Sequence, residues 1–360
     1  MSEQPGTALS RPARVGYPDL IRIVAILMVV MIHTIAPLFN TLDLHSTDFV
    51  ICTVLDCLTH AGVPLFVMVS GIFLLDEKRE VTIRRAVRHY ALPLAGLYLF
   101  WSLAYAIVNK VAMPLAFEGA TLSAAMIREF IQAVIEGAYH MWYIPMMIGL
   151  YLITPLLRRF VRADCLPLVR WFLLLSVIFQ GALPLVLSLL KEFAGWDFAA
   201  FYANFHLEFL LGYPAYYVAG WYLANHAPRR RAVVYAAGVA GLLLMIGLTV
   251  GVSYHSGEAI AAHFEALSLG CAAYAVAVFC LFAWEGEGIR STALLTGLSR
   301  LTFGVYMIHV EVQSLFKLFL PYTGGTVGYV LLQWAVVTVV SFAAAFVLSR
   351  IPLLRRTVRA

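Results

Sequence analysis

Long apolar segments recur along almost the whole chain and are separated only by short polar stretches. A helix that crosses a bilayer needs about 20 mostly apolar residues, and such runs extend from Tyr17 to the last residues. Hydrophobic residues make up 62% of the sequence and charged residues 12%, roughly half the charged fraction of an average soluble protein. So little polar surface excludes a soluble enzyme, and we expect the chain to fold in a membrane.

The apolar segments predict an all-α, polytopic membrane protein with about ten transmembrane helices. Runs such as 23–32 and 236–252 do not alternate in polarity, as the strands of a membrane β-barrel would. The predicted spans are 17–38, 50–75, 90–112, 141–160, 167–190, 205–225, 232–254, 265–284, 301–320 and 327–349. They form one transmembrane domain over residues 17–350, between a polar tail, 1–16, and a basic tail, 351–360.

The distribution of lysine and arginine predicts the orientation of the chain. Cytoplasmic loops carry an excess of these residues, and most of the 25 in this sequence fall in the two tails and in alternate loops. Both termini are therefore predicted to be cytoplasmic, in a multi-pass protein of the cell membrane with membrane lipid around it. Because the basic residues follow this topology, they give no reason to expect nucleic acid as a partner.

Residues 121–139 have a different pattern. Met126, Phe130 and Val134 recur at helical spacing, with charged residues on the other faces. We expect an amphipathic helix lying on the outer membrane surface, where it can cover a site. The two halves of the chain share no repeat that we can align, which counts against a transporter built from repeats.

Ionisable residues in the first span are the strongest functional signal. At membrane depth such groups cost several kcal/mol and are commonly functional. Arg22 and His33 are separated by about three helical turns, so they share one face, and that face must point into the bundle. Asp19 precedes Arg22 by one turn and can pair with it. Taken singly, Arg22 can also be an interfacial charge and His33 a histidine bonded to backbone.

Other polar residues concentrate at the two predicted ends of the bundle. Those predicted in the outer half are Asp56, His140, Trp142, Glu208, Tyr306 and His309, with His60 one turn from Asp56 in the middle of the second span. Those predicted at the cytoplasmic end are Arg84, Arg85 and Arg88, of which the last two are one turn apart and can clamp a phosphate. The structural alternatives stay open: an Asp56–His60 pair, an aromatic belt at Trp142, and arginines that only set the topology.

Taken in order, these strings make the chain similar to acyltransferase family 3, the integral-membrane O-acetyltransferases. The resemblance covers nearly all of residues 17–350. It rests on Arg22 and His33 within DLIRIVAILMVVMIHT, on FVMVSGIFLL, on the RRxxR of residues 84–88, on HMWYIPMMIGLYLITPLL and on LSRLTFGVYMIH. The first string most resembles the branch that contains the enterobacterial common antigen O-acetyltransferase. Pro64 stands where many relatives have an aspartate, so an acidic partner must come from elsewhere, for example from Asp56.

The resemblance implies transfer of an acetyl or other short acyl group from cytoplasmic acyl-CoA, with acetyl-CoA as the expected donor, to a hydroxyl of an extracytoplasmic or lipid-linked glycan. In this scheme Arg22, Arg84, Arg85 and Arg88 bind the phosphates of CoA. His33 is the general base and His309 a second acid or base. Tyr306, His140 and Trp142 are candidate donors to the oxyanion, and Asp56, His60, Trp142 and Glu208 orient groups or bind substrate. No metal is required, because the thioester is already activated.

Two other classes of protein fit part of this pattern. A multi-pass transporter or exporter of a polar or anionic metabolite would also have buried charges along its path. A membrane scaffold or sensor would use the same residues for assembly. Neither class explains why an arginine-rich end is joined to a histidine on one helical face.

Overall fold

The computed structural model describes residues 15–117, 119, 121, 123–227, 230–286 and 288–358, with only the backbone of residues 208 and 209. Residues 1–14 of the predicted N-terminal tail lie outside this part. The predicted all-α architecture is confirmed. The helices are α1 Tyr17–Phe39, α2 Thr47–Thr59, α3 Gly62–Leu74, α4 Ile83–Phe117, α5 Ala124–Glu136, α6 Tyr143–Leu157, α7 Ala163–Ala194, α8 Ala199–Ala203, α9 Glu208–Leu211, α10 Tyr213–Asn225, α11 Arg231–Ser256, α12 Leu269–Glu285, α13 Ala293–Phe319 and α14 Thr326–Arg350.

Eight helical stretches in the described part of the chain are long and apolar enough to cross a membrane. Two of these stretches combine neighbouring helices, α2 with α3 and α5 with α6. The other two predicted spans correspond to the shorter helices α10 and α12. Helix α10 begins at Tyr213 and not near residue 205, because Pro214 lacks an N–H and is suited only to the first turn of a helix.

The predicted second span is broken into α2 and α3 at His60 and Ala61. Pro64 explains the break. Proline has no backbone N–H, so Pro64 cannot donate the helical hydrogen bond to the His60 carbonyl that a continuous helix would contain. The Asp56 and His60 side chains therefore lie at the end of one helix and at the turn that follows it.

Helix α10 lies at the centre of the bundle, where its residues from Tyr216 to Trp221 are all buried. Two glycines allow it to pack directly against α3. A Cβ at Gly71 would overlap the Tyr217 carbonyl, and a Cβ at Gly220 would overlap the Met68 carbonyl. Such close backbone contact between membrane helices requires small residues. The short helix α10 is thus enclosed by protein instead of lipid.

The predicted amphipathic helix is confirmed as α5. It packs against α4, where the Tyr98 hydroxyl donates a hydrogen bond to the Ile135 carbonyl at 2.9 Å. Gly137, with a φ of 73°, ends the helix in a conformation that favours glycine. The chain then turns through a 3₁₀ segment, Tyr139–Trp142, which carries His140 into the interior.

Candidate active site

A cavity of about 330 Å³ opens between α1, α3, α4, α6 and α13. We call its charged opening the arginine end of the bundle. The lining residues are Asp19, Arg22, Val29, Val63, Phe66, Ser70, Leu94, Tyr143, Ile144, Met147, Tyr151, Ser299, Arg300, Thr302, Phe303 and Tyr306. The cavity is charged where Arg22 lies and becomes largely apolar and aromatic farther along, so a charged group and a long, thin apolar arm can occupy it together.

Asp19 organises the opening of the cavity. It is 1% exposed, and it accepts hydrogen bonds from the hydroxyls of Ser299 at 2.8 Å and Ser291 at 3.0 Å. The chain before α13 reaches this point because Gly16 N–H donates to the Ile289 carbonyl at 2.8 Å. A buried carboxylate with several donors is firmly placed, so Asp19 is a fixed anchor for cationic groups beside it.

Arg22 is held by that anchor, as its spacing predicted. Its guanidinium lies 3.5 Å from the Asp19 carboxylate and 5.1 Å from the centre of the Phe73 ring. Arg79 lies against the same ring at 5.9 Å. The side chain of Arg22 is 29% exposed, so part of the guanidinium still faces the opening.

Arg300 is a residue that the sequence analysis missed as a site candidate. It lines the cavity beside Arg22, although its position on α13 lies far away in the sequence. In the sequence Arg300 is only a basic residue after Ser299, at the start of an apolar run. The excess of basic residues in cytoplasmic loops already predicts a residue of that kind there.

The three arginines of the RRxxR string take a different position. Arg84, Arg85 and Arg88 are exposed and are not among the residues that line the cavity. The Arg85 guanidinium donates to the Glu80 carbonyl at 3.1 Å. They form a basic surface at the start of α4 instead of the wall of the cavity.

Three histidines from separate helical segments meet farther along α1. The ring centres of His33 and His309 are 5.0 Å apart, those of His140 and His309 5.3 Å, and those of His33 and His140 6.2 Å. His33 lies on α1, His140 on the 3₁₀ segment before α6, and His309 on α13. We call this the histidine cluster and its end of the bundle the histidine end.

Hydrogen bonds fix the tautomer of His309. Its Nδ1 lies 2.8 Å from the Tyr306 carbonyl and 3.2 Å from the Val305 carbonyl. Because a carbonyl only accepts, Nδ1 must carry the proton, and in the neutral ring Nε2 is left as a base. Nε2 is buried and has no hydrogen-bond partner among the described residues.

His140 is buried in the same cluster, and neither of its ring nitrogens has a hydrogen-bond partner in the described part of the chain. Buried polar atoms are nearly always paired in folded proteins. Unpaired imidazole nitrogens on neighbouring rings therefore mark a place where a reacting group can be received. His33 is only half-buried, and its ring lies 5.4 Å from that of Tyr139, which is 64% exposed. The cluster is thus reached from the histidine end.

Tyr306 stands between the cavity and the histidine cluster. It lines the cavity, and its ring centre lies 5.6 Å from that of His140. Its hydroxyl donates a hydrogen bond to the His140 carbonyl. His33 does not line the cavity, which on α1 extends to Val29, about one turn before it. The path from Arg22 thus reaches Tyr306, and the cluster begins on the other side of that ring.

Of the remaining sequence candidates, Asp56, His60 and Trp142 lie outside this arrangement. The Asp56 carboxylate lies 3.1 Å from Nδ1 of His60, and the His60 ring packs against Phe264 at 4.5 Å. Trp142 is 44% exposed and contacts the Tyr213 ring at 5.6 Å. Glu208 begins α9, but its side chain lies outside the described residues. Across the part of the chain that is described, no group of three or more His, Cys, Asp or Glu side chains is placed to hold a metal ion.

The comparison with protein families agrees with this layout. A family model described as an acyltransferase domain, Acyl_transf_3, matches residues 15–350. The chain therefore belongs to this family of membrane acyltransferases. No curated protein and no solved structure gives a significant match.

Proposed function

We propose that the protein is a membrane O-acyltransferase that moves an acetyl or other short acyl group from acyl-CoA to a hydroxyl of a glycan. In this proposal acetyl-CoA is the donor, and the acceptor is an extracytoplasmic or lipid-linked saccharide. The arginine end faces the cytoplasm of a cell-membrane protein whose two termini are cytoplasmic. Within the family, the first-span string favours the branch that contains the enterobacterial common antigen O-acetyltransferase.

One observation carries this proposal: a single cavity has cations at one end and reaches at its other end Tyr306, whose ring lies 5.6 Å from that of His140 in the histidine cluster. Arg22 and Arg300 at the opening suit the phosphates of CoA, since guanidinium groups bind phosphate oxygens strongly. The cavity follows α1 from Arg22 to Val29, a rise of about 10 Å, so a thioester arm that follows it reaches Tyr306, next to the histidine cluster. Arg84, Arg85 and Arg88 offer further positive charge on the neighbouring surface.

His33 is the proposed general base. A sugar hydroxyl is a poor nucleophile at neutral pH, and a histidine base is worth about 10²- to 10⁴-fold. The hydroxyl oxygen bonds to the thioester carbonyl carbon while His33 takes the hydroxyl proton. The carbon–sulfur bond then breaks, and CoA leaves as a thiol after it receives that proton. His33 is half-buried, so an acceptor from the histidine end can reach it.

His309 and His140 take supporting roles in this scheme. The Nε2 lone pair of His309 can accept a hydrogen bond from a neighbouring imidazole and so orient His33. A neutral His140 ring carries one N–H, and this proton has no acceptor among the described residues. It is a better donor to the developing oxyanion than Tyr306, whose hydroxyl is engaged with the His140 carbonyl.

The test is an acyl-transfer assay on the full-length protein in lipid nanodiscs. The protein is incubated with acetyl-CoA labelled in the acetyl group and with a saccharide acceptor, and both release of CoA and labelling of the acceptor are measured. We expect both in the wild type and in the control His255→Ala, which changes an exposed histidine, and both at least about a hundredfold slower in His33→Ala. Failure of the wild type to bind acetyl-CoA or to release CoA would favour the alternative hypothesis, a multi-pass transporter or exporter of a polar or anionic metabolite.

A further inference from the structure

A second pair of openings lies on the other side of α10, away from the histidine cluster. The first opening is a groove of about 230 Å³ between α7, α10 and α12. Its walls are almost entirely apolar, with Val177, Ala219, Leu223, Ala272 and Val276 among them. From Gly212 to Leu223 the groove follows α10 for about 16 Å. This length and chemistry suit one extended hydrocarbon chain.

The groove continues into a second cavity of about 360 Å³, whose wall is mostly apolar but carries several polar side chains; we call it the polar cavity. The two share Gln180, Gly181, Leu267 and Leu269 in their walls. The polar cavity adds the side chains of Ser188, Tyr202, His263, Glu265 and Ser268. An apolar groove that opens into a larger cavity with polar groups in part of its wall suits an amphiphile with a long chain and a small polar head.

The polar cavity lies at the histidine end of the bundle. Phe264, which follows the cavity residue His263, packs its ring against Phe39 at 5.3 Å and against His60 at 4.5 Å. The beginning of α10 is placed at the same end by the contact between Tyr213 and Trp142. The head of an amphiphile in this site would therefore lie at the end of the molecule where the histidine cluster is reached.

Two polar groups in the walls have no hydrogen-bond partner among the described residues. The Nε2 of Gln180, which borders both openings, is buried without one. His263 is only 6% exposed and forms no hydrogen bond in that part of the chain. Burial lowers the pKa of the His263 imidazole, which favours the neutral ring, and a neutral ring offers one donor and one acceptor. An amide and a neutral imidazole match hydroxyl groups, which both donate and accept.

The charge of the site argues against a phosphate in the polar cavity. No lysine or arginine lines either opening in the described part of the chain, and Glu265 contributes a carboxylate. Lys191, about one turn after Ser188 on α7, is exposed and paired with Asp197 at 2.8 Å, and past the opposite end of the groove the Arg170 side chain donates to the Tyr222 hydroxyl at 3.0 Å. An anionic lipid would thus have to bind in the reverse direction, with its phosphate at Arg170.

We infer that the groove and the polar cavity form one binding site for a long-chain amphiphile with an uncharged, hydroxyl-rich head, such as a glycolipid. The chain occupies the groove between α7, α10 and α12, and the head bonds to Gln180 and His263. This site is separate from the cavity that we assign to acyl-CoA, and binding there does not depend on acyl transfer.

Photolabelling in nanodiscs of phosphatidylcholine tests the site on the full-length protein. Two probes carry the same twelve-carbon chain with a diazirine at its centre, one as the alkyl glucoside and the other as the alkyl phosphate. After irradiation, the labelled residues are located by peptide mass spectrometry. We expect the glucoside to label α7, α10 and α12 around the groove, and unlabelled alkyl glucoside to compete with it more strongly than unlabelled alkyl phosphate.

Two variants separate the head from the chain. Gln180→Leu removes a hydrogen-bonding group to the head, and we expect about tenfold less glucoside labelling with little change for the phosphate. Ala272→Phe fills the groove and should reduce labelling by both probes. The matched controls are Gln132→Leu on the surface of α5 and Ala240→Phe on the exposed side of α11, which should label as the wild type does.

Elution volume and thermal unfolding establish that each variant is folded. The inference is overturned if glucoside labelling is the same in wild type and Ala272→Phe, or if Gln180→Leu affects both probes equally. Preferential labelling by the alkyl phosphate near Arg170 would identify the site as one for anionic lipid instead. None of these results depends on acyl transfer, so a negative transferase assay leaves the inference standing.

Discussion

The two ends of the proposed active site differ in how their polar groups are held. At the arginine end the Asp19 carboxylate is fixed by two serine hydroxyls and lies beside the Arg22 guanidinium. In the histidine cluster, Nε2 of His309 and both ring nitrogens of His140 have no hydrogen-bond partner among the described residues. The first arrangement holds charge in place, as a binding site must. The second leaves imidazole nitrogens available for proton transfer.

This difference predicts that substitutions at the two ends act on different kinetic constants. A residue that binds donor and transition state equally changes KM, whereas a residue that acts only in the transition state changes kcat. The variants below test that division, beginning with the largest expected effect.

Replacement of His33 should have the largest effect. We expect His33→Ala to lower kcat by about 10²- to 10⁴-fold, because it removes the general base, while the Kd for acetyl-CoA stays within about twofold of wild type. Steady-state CoA release gives kcat, and equilibrium binding of acetyl-CoA gives Kd. If His33→Ala weakens donor binding and leaves kcat unchanged, the proposed assignment of donor binding to the arginine end and of catalysis to the histidine end is wrong.

His140 should come second. His140→Phe keeps an aromatic ring but removes the N–H, and loss of one oxyanion donor costs about 10²- to 10³-fold in kcat. His140→Gln retains an N–H and should recover part of the activity. His226→Phe is the matched control, since His226 stacks on Tyr222 in a separate part of the bundle. Equal activity of His140→Phe and wild type would remove His140 from the mechanism.

Much of this layout follows from local sequence pattern. The apolar runs predict the helices, and the spacing of Asp19, Arg22 and His33 predicts one inward face of α1, because a single helix fixes those relations. The meeting of His33, His140 and His309 has a different origin. It depends on how α1, α13 and the 3₁₀ segment before α6 pack, and no spacing within one helix encodes that contact. The sequence identified each of the three histidines as a candidate site residue, because each is a polar residue in an apolar segment. Only the structure shows that their rings are in contact.

The errors of the sequence prediction also have physical causes. Arg300 was missed because a basic residue near a helix end is what topology alone predicts. Helix α10 is shorter than a bilayer-spanning helix because it is surrounded by other helices, so the lipid thickness does not set its length. The split of α2 from α3 follows from Pro64, which was noticed in the sequence but not interpreted as a helix break.

Substitution of Arg22 tests whether the arginine end binds the donor. Arg22→Ala should weaken acetyl-CoA binding by about 10- to 100-fold, the value of hydrogen bonds from a charged group, with kcat at saturation much less affected. Arg22→Lys should retain part of the affinity. Because Arg22 is partly exposed, we expect the loss to shrink as salt is raised. The control Arg128→Ala removes a charge from the surface of α5 and should bind donor as the wild type does.

The smallest effect distinguishes Arg300 from the RRxxR string. Arg300 and Arg85 are both exposed, but Arg300 lines the cavity at its opening, whereas Arg85 does not line it and its guanidinium donates to the Glu80 carbonyl. Exposed charges contribute about 0.2–1 kcal/mol to a pair, so Arg300→Ala should raise KM for acetyl-CoA by about two- to fivefold and Arg85→Ala by less. Steady-state kinetics over a range of acetyl-CoA concentrations measures both.

A larger increase for Arg85→Ala than for Arg300→Ala would mean that the CoA phosphates bind on the surface at the start of α4. Donor binding would then extend outside the cavity, and the anchored group around Asp19 would serve to guide the thioester arm inward.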